Sequence, residues 1–489
     1  MIKNLELEFK YGTSPMRHQD DWFQKTRDLR EFGILWEMGT GKSKLIIDTA
    51  MHLFIGGEID GLLLVSDKGG YLNWHDVEVP KHMHEQVPYR LGYFSSYLRR
   101  GEQKQLDEVM VARDDCLDIL CINIEGFSAA QGKAMRVARE FIRTHYVMMV
   151  VDEATSIKNI KAERTKNAIK LGQTCDYRRI LTGTPITQSP LDVYAMFEFL
   201  KKGCLGFWSF VSFRSQYAIM RTMNLGNRSF QKIEGFHRLD ELTESMRPLS
   251  TRMLKTECED LPDKVYETLY VEHTDQQREV YNKIANEALA QFDQGILTVT
   301  SAMTAINKLH QVNCGHLKLD GGSVINIESN RVSALIDELD KIGDSKAIIW
   351  CRFQRDVELI MEALRTHREG RYAVDYYGNT PDHARRTNLL AFKTDHKCLW
   401  FVGTAATGGK SITLTEAHYV YYYSTDHNLE DRLQSEDRPH RHGQTNKVTY
   451  VDLLVRDTVD VRILENLKAK KDLSYEVLDK FRELVAPTC

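Results

Sequence analysis

Proline is scarce in this sequence, and paired cysteines are missing. The 489 residues hold only 10 prolines and 30 glycines, too few for disordered or low-complexity tracts, so a chain folded nearly end to end is expected. Nine cysteines stand at 116, 121, 175, 204, 258, 314, 351, 398 and 489 without one C-x-x-C pair. An odd number with no ligand spacing excludes a disulfide scaffold and reads as reduced, mostly buried thiols. No apolar stretch approaches the roughly 18 residues of a membrane span, and the N-terminus, with Lys3, Glu6 and Glu8, has no signal-peptide core. The expectation is a protein off the membrane and not secreted, in the cytoplasm of a prokaryotic or virus-infected cell, or in a nucleus if the source is eukaryotic. Charge of one sign is absent too. Lys plus Arg total 65 against 69 Asp plus Glu, a net charge of −4, so any nucleic acid must be held by a local basic surface.

Short apolar, β-branched or aromatic runs are present, and they alternate with helical segments. The first group is GILWE (33–37), GLLLVS (61–66), DILCINI (118–124), YVMMVVDE (146–153) and RRILTGT (178–184). The second is KAIIWC (346–351), YAVDYY (372–377), CLWFVGT (398–404), HYVYYYS (418–424) and VTYVDLLV (448–455). Nearly continuous apolar runs suit strands buried on both faces, as in parallel sheets with crossover helices. The fold class is therefore α/β, with two doubly wound parallel-sheet lobes. Between the groups, about 195–330, the three- and four-residue apolar spacing is helical, and the stretch TECEDLPDK (256–264) is the expected hinge. The domains expected are 1–255, with a helical insertion at about 195–255, and 256–489, with one at about 265–330.

Three constellations carry chemistry. After the first strand come Glu37-Met38-Gly39-Thr40-Gly41-Lys42-Ser43 and a helix-like LIIDTAMHLFI. Glycines admit phosphate oxygens to backbone N–H groups, the helix start adds positive potential, Lys42 can reach the β- and γ-phosphates, and Ser43 can hold Mg²⁺. The full phosphate-loop pattern has a glycine where this chain has Trp36. Second, VMMVV delivers Asp152 and Glu153 at a strand's C-terminal end, where open α/β sheets bind ligands. Asp152 suits Mg²⁺ and Glu153 suits the deprotonation of an attacking water, although a helix cap would use the same residues. Third, Gln434-Ser-Glu-Asp-Arg438-Pro-His-Arg441-His-Gly-Gln444 puts two arginines three residues apart. Their planar, permanently charged forks can neutralise a transferring phosphoryl group, while a solvated basic face is the plain alternative.

In order, these motifs resemble the Swi/Snf-type (sucrose non-fermenting) DNA-translocating ATPases of helicase superfamily two. Met16-Arg17-His18-Gln19 resembles the family's adenine-reading motif, EMGTGKS its DEMGxGKT, and LLLVSDKGGYLNW (62–74) and CINIE (121–125) the motifs that follow. VVDEATSIKN (150–159) is similar to its DEAH-x-IKN with Thr155 for histidine, and RRILTGTPITQSPLDVYAMFEFL (178–200) to its third motif. MRPLSTRMLKTECEDLPDK (246–264), KLHQVNCGH (308–316), KAIIWCRF (346–353), TAATGGKSITLTEAHYVYYYSTDHN (404–428) and LQSEDRPHRHGQTNKV (433–448) resemble the later motifs.

The resemblance implies two RecA-like lobes in a compact, stand-alone form. It implies ATP and Mg²⁺ as cofactors, Lys42, Asp152, Glu153, Arg438 and Arg441 as the hydrolytic set, and Gln19, Gly39, Thr40, Gly41, Lys42 and Ser43 as nucleotide contacts, with Ser43 and Asp152 on the metal. It also implies Lys68, Trp74, Thr184, Arg352, Thr404 and Lys410 as nucleic-acid contacts. A core position for Trp74 is the alternative that stays open. The function implied is an ATP-driven, monomeric translocase on double-stranded or branched DNA, remodelling junctions or displacing bound protein, with targeting by DNA shape or a protein partner. A strand-separating DNA or RNA helicase and a non-hydrolysing clamp are the other readings.

Overall fold

Successive residues of a strand face opposite sides of a sheet, and here both sides are apolar. In the computed structural model, which describes residues 7–67, 70–225, 228–258, 262–293, 299–319, 321–409, 412–441 and 444–471, Leu63 and Val65 pack into one core and Leu62 and Leu64 into another. Ile348 and Trp350 are likewise separated from Ala347, Ile349 and Cys351. Contacts divide the chain into two compact units, Met1–Arg221 with Lys232–Glu259, and Thr222–Gln231 with Asp260–Lys471.

The sheet of the first unit contains β1 (Glu31–Trp36), β2 (Gly61–Ser66), β3 (Tyr89–Phe94), β4 (Leu117–Asn123), β5 (Val147–Val151) and β6 (Tyr177–Leu181). After a pair of strands, β7 (Ala218–Leu225) and β8 (Arg228–Phe236), it is completed by β9 (Ser250–Met253). Its order is β3-β4-β2-β5-β6-β1-β9, and every pairing is parallel. The second unit adds β10 (Lys264–Val271), a small antiparallel pair β11 (His316–Lys318) and β12 (Val324–Asn326), β13 (Ala347–Cys351), β14 (Tyr372–Tyr376), β15 (Cys398–Thr404), β16 (Tyr419–Tyr422) and β17 (Val448–Val455). Its main sheet runs β10-β17-β16-β13-β15-β14, again all parallel.

The region 195–330, expected to be helical, is mixed. It contains the helices Val193–Leu200, Phe210–Tyr217, Leu239–Met246, Asp275–Asp293 and Val299–Asn313, but also β7 to β12. Of the expected hinge 256–264, residues 259–261 lie outside the described ones. The eight described cysteines are free thiols, six of them buried. No helix among the described residues is long and apolar enough to cross a membrane.

A buried ion network fixes the helix Leu429–Glu436 to the second sheet. Arg432 donates to both carboxylate oxygens of Asp452, at 2.5 and 2.9 Å, and to Glu436 Oε1 at 2.7 Å, and lies 3.5 Å from the centre of the Tyr422 ring. Burial alone would raise the Glu436 carboxyl, but Arg432 and Lys264 outweigh it and hold it at about 2 instead of 4.5. Removing the guanidinium strands the buried Asp452 carboxylate and leaves Glu436 its Lys264 and Tyr266 contacts, so Arg432→Met should cost about 3–5 kcal/mol in urea unfolding followed through this unit. A carboxylate held below its usual value adds stability at neutral pH that is lost as pH falls from 4.5 towards 2. The variant should lose this part of the acid dependence.

Candidate functional site

The order β5-β6-β1 sets three strand ends side by side in the first unit. Beyond β1 the chain turns through residues 37–41 into the helix Lys42–Ile55. Gly39 (φ +85°) and Gly41 (φ +81°) take left-handed conformations that side chains resist. A Cβ on Gly41 would also collide with the Gln19 amide nitrogen. Trp36, where the phosphate-loop consensus has its first glycine, is still within β1 and fully buried. No turn is made there, so no glycine is needed.

Side chains brace this loop from several directions. Thr40 Oγ1 donates to the Glu37 carbonyl (2.8 Å), and His18 Nε2 lies 2.9 Å from the Thr40 carbonyl. Gln19 accepts the Met16 N–H (2.8 Å) and donates to the Gly41 carbonyl (3.2 Å). The helix Arg17–Thr26 is thereby tied to the glycine loop. Lys42 Nζ donates to the carbonyls of Trp36 (3.0 Å) and Glu37 (3.1 Å). Ser43 is partly exposed in the first turn of its helix.

Past β5, Asp152 and Glu153 are partly exposed. Asp152 accepts from the Trp74 indole N–H (2.8 Å), the Ser66 hydroxyl (3.4 Å) and the Glu153 N–H (2.9 Å). The protein packed around it raises its carboxyl pKa, with Asp67 adding to that, while Trp74 and the charge of Lys42 pull it down. Phosphate-loop lysine and acidic pair thus act on one another. Glu153 holds a left-handed backbone (φ 45°, ψ 59°) without being glycine, the kind of strain that collects at functional sites.

Trp74 requires a correction. It opens the π-helical turn Trp74–Glu78 and is 1% exposed, so it has no face to stack on a base. Its structural work is to position Asp152. Trp74→Phe should raise the Asp152 carboxyl pKa further, read by NMR titration of that carboxyl. DNA affinity should not change. Weakened DNA binding with an unmoved carboxyl pKa would restore the stacking role.

β6 supplies the third strand end. Thr184 is buried, accepts no side-chain partner at its hydroxyl among the described residues, and donates its N–H to Thr182 Oγ1 (3.1 Å). The following turn is gathered by Asp192, whose Oδ2 accepts from the Thr187 N–H and hydroxyl (both 3.0 Å) and the Gln188 N–H (2.8 Å). Lys158, after the acidic pair, donates to Thr187 Oγ1 (2.5 Å). Sequence reasoning did not assign Asp192 or Lys158, although capping spacing in TQSPLD was a usable signal.

In the second unit, Arg352 and Thr404 follow β13 and end β15, two paired strands. They line one cleft with Ala405, Ser424, Asp426 and Asn428. Arg352 donates to Asn307 Oδ1 (2.7 Å), meets His310 Nδ1 (3.0 Å), and lies 3.5 Å from Asp426. Lys68 and Lys410 lie outside the described residues.

The two arginines after the helix Leu429–Glu436 do not behave as a matched pair. Arg438 is 4% exposed and donates to the carbonyls of Gln434 (2.8 Å) and Ile412 (2.9 Å). Arg441 stays partly exposed and donates to Thr413 Oγ1 (3.0 Å). Their spacing looked equivalent in the sequence, and burial distinguishes them.

Two family models match parts of the chain. A model of the SNF2-related domain matches residues 21–318, and one of the helicase conserved C-terminal domain matches residues 330–443. The chain is similar to an uncharacterized ATP-dependent helicase of Mycoplasma pneumoniae, 25% identical over 98% of this chain and 43% of that protein. It is also similar to the DNA excision repair protein ERCC-6 of Mus musculus, 27% identical over 68% of this chain and 23% of that one. The chain therefore spans less than half the length of these curated relatives. Among solved structures, the Sulfolobus solfataricus SWI2/SNF2 ATPase core in complex with dsDNA is 20% identical, with a TM-score of 0.42 and 99% of both chains covered.

Proposed function

The chain belongs to the SNF2-related family, and on that premise we propose that it is a DNA-dependent ATPase that moves along double-stranded DNA and remodels branched DNA or displaces bound protein. The observation that carries this reading is the set of neighbouring strand ends that bring together a glycine loop with Lys42 and the Asp152–Glu153 pair, the Asp152 carboxylate feeling the Lys42 charge. These are the parts that phosphoryl transfer to water requires.

Backbone N–H groups of residues 39–43 cradle the triphosphate, and Lys42 exchanges its carbonyl partners for phosphate oxygens. The Ser43 hydroxyl and Asp152 carboxylate are hard oxygen donors, and among the described residues no group of three or more His, Cys, Asp or Glu side chains could hold a metal alone. That donor set fits Mg²⁺, which keeps waters and phosphate oxygens in its shell. When bound, the ion would neutralise charge on the β- and γ-phosphates. Trp74 pulls the Asp152 pKa down and aims its carboxylate, and Glu153 takes the proton of the attacking water. Gln19 is assigned to the adenine side of the site, where it also braces the loop.

Arg352 and Thr404 are assigned to the DNA backbone, a contact that positions the duplex without reading its sequence. Binding should therefore be sequence-tolerant and fall steeply with salt. Triplex displacement run beside strand displacement tests the reading. Displacement of a third strand from intact duplex, driven by ATP, is expected. Strand separation without triplex displacement would point to a conventional helicase.

A further inference from the structure

The guanidinium assigned to the DNA backbone is held from behind by a helix. Arg352 follows β13, and only 14% of its side chain is exposed. Asn307 and His310 stand three residues apart on the helix Val299–Asn313, so they share a face. Both meet the arginine fork: Nη2 donates to Asn307 Oδ1 (2.7 Å), and Nη1 lies 3.0 Å from His310 Nδ1. The Arg352 backbone is fixed as well, its N–H donating to Ser424 Oγ (2.7 Å).

Arginine carries only donors and stays charged, so His310 Nδ1 meets it as an acceptor. The imidazole proton then sits on Nε2, which lies 3.7 Å from Asp460 Oδ1. The surroundings hold this neutral form. Burial pushes the His310 pKa down to about 3; Asp460 pulls the other way, and the charges of Arg352 and Arg331 and the neighbouring His427 add to the fall. Asp460 is itself fixed by Arg331 (2.7 Å) and by the Asn313 amide (2.8 Å). A row of buried contacts thus runs from Arg331 through Asp460 and His310 to a guanidinium that lines the cleft with Thr404. An arginine side chain has about 2 kcal/mol of rotamer entropy to lose, and contacts that order it in the free protein remove that cost from binding.

We propose that His310 is a positioning residue that, accepting from Arg352 beside Asn307, orients this guanidinium for a phosphate of duplex DNA; the proposal rests on reading Arg352 as a DNA contact. Titration of the full chain with duplex DNA at several salt concentrations tests it. Arg352→Ala is the reference, and should weaken binding and flatten the dependence of log affinity on log salt by about one phosphate contact. His310→Leu keeps an apolar side chain against the Phe353 ring, whose centre is 5.2 Å from that of the imidazole, and deletes the acceptor. It should weaken binding by about three- to thirtyfold, the upper figure being the full rotamer cost. In the Arg352→Ala background it should change nothing further, because its effect passes through the guanidinium. His310→Asn, with its oxygen where Nδ1 stands, should recover most of the affinity.

Equal weakening by His310→Leu with and without Arg352 would make the histidine a packing residue and overturn the proposal. Weakening by Arg352→Ala with normal binding by His310→Leu would overturn it too, while the DNA contact stands. If Arg352→Ala binds duplex like the unsubstituted chain, the DNA contact fails and takes the proposal with it. Should the leucine variant not fold, His310→Gln, which moves the acceptor away from the Nδ1 position, is read in its place.

Discussion

Glu153→Gln should keep ATP bound and lower DNA-stimulated phosphate release by about 10²–10⁴-fold, the usual worth of a positioned general base. The substitution is nearly isosteric, so it changes proton affinity and little else. Glu153 occupies a left-handed backbone position directly after β5, and glutamine can hold that conformation about as well as glutamate. The loss should therefore be confined to kcat, with nucleotide affinity intact. Single-turnover measurements with ATP and duplex DNA would separate the two. Turnover that survives would move the base elsewhere, and a chain that bound DNA without hydrolysing ATP even when unsubstituted would be a clamp.

Lys42→Ala should act at an earlier step. Its ammonium meets two loop carbonyls and lowers the pKa of the Asp152 carboxyl. Removing it deletes a cation from the phosphate cradle and leaves Asp152 with less reason to stay ionised. Each lost charge-assisted contact is worth about 1.5–3 kcal/mol, so binding of ATP should fall by at least tenfold and turnover should drop to background. Equilibrium titration with ATP measures the first effect and phosphate release the second. Full binding with lost turnover would make Lys42 a residue of the transition state alone.

Both lobes were legible in the sequence because central parallel strands are apolar on both faces. Runs such as GLLLVS (61–66) and CLWFVGT (398–404) coincide with β2 and β15. Of the four edge strands of the two main sheets, β14 was legible as YAVDYY (372–377), and β3, β9 and β10 were not. YRLGYF, which forms β3, is half-buried and holds a glycine, and KVYETLYV, which forms β10, exposes half of its residues. Such sequences read as loop or helix until a partner strand is known. β9 has only four residues and pairs with β1 from far along the chain.

The same split runs through the site. Gly39, Gly41 and the acidic pair announce themselves because their chemistry needs local spacing. Trp74, expected at the nucleic acid, is buried, because a tryptophan after a strand looks the same in sequence whether its indole meets solvent or a carboxylate 78 residues away. Arg252 reaches a carbonyl 217 residues earlier. Arg438 and Arg441 share a motif, yet one braces backbone carbonyls and the other keeps an exposed flank.

ATPase activity measured against single-stranded, duplex, forked and four-way-junction DNA, and against RNA, tests most directly whether nucleotide chemistry here serves movement on duplex DNA. Duplex and branched DNA should stimulate phosphate release many-fold over the chain alone, with RNA and single strands far weaker. Equal rates with and without duplex DNA, or stimulation by RNA alone, would contradict it.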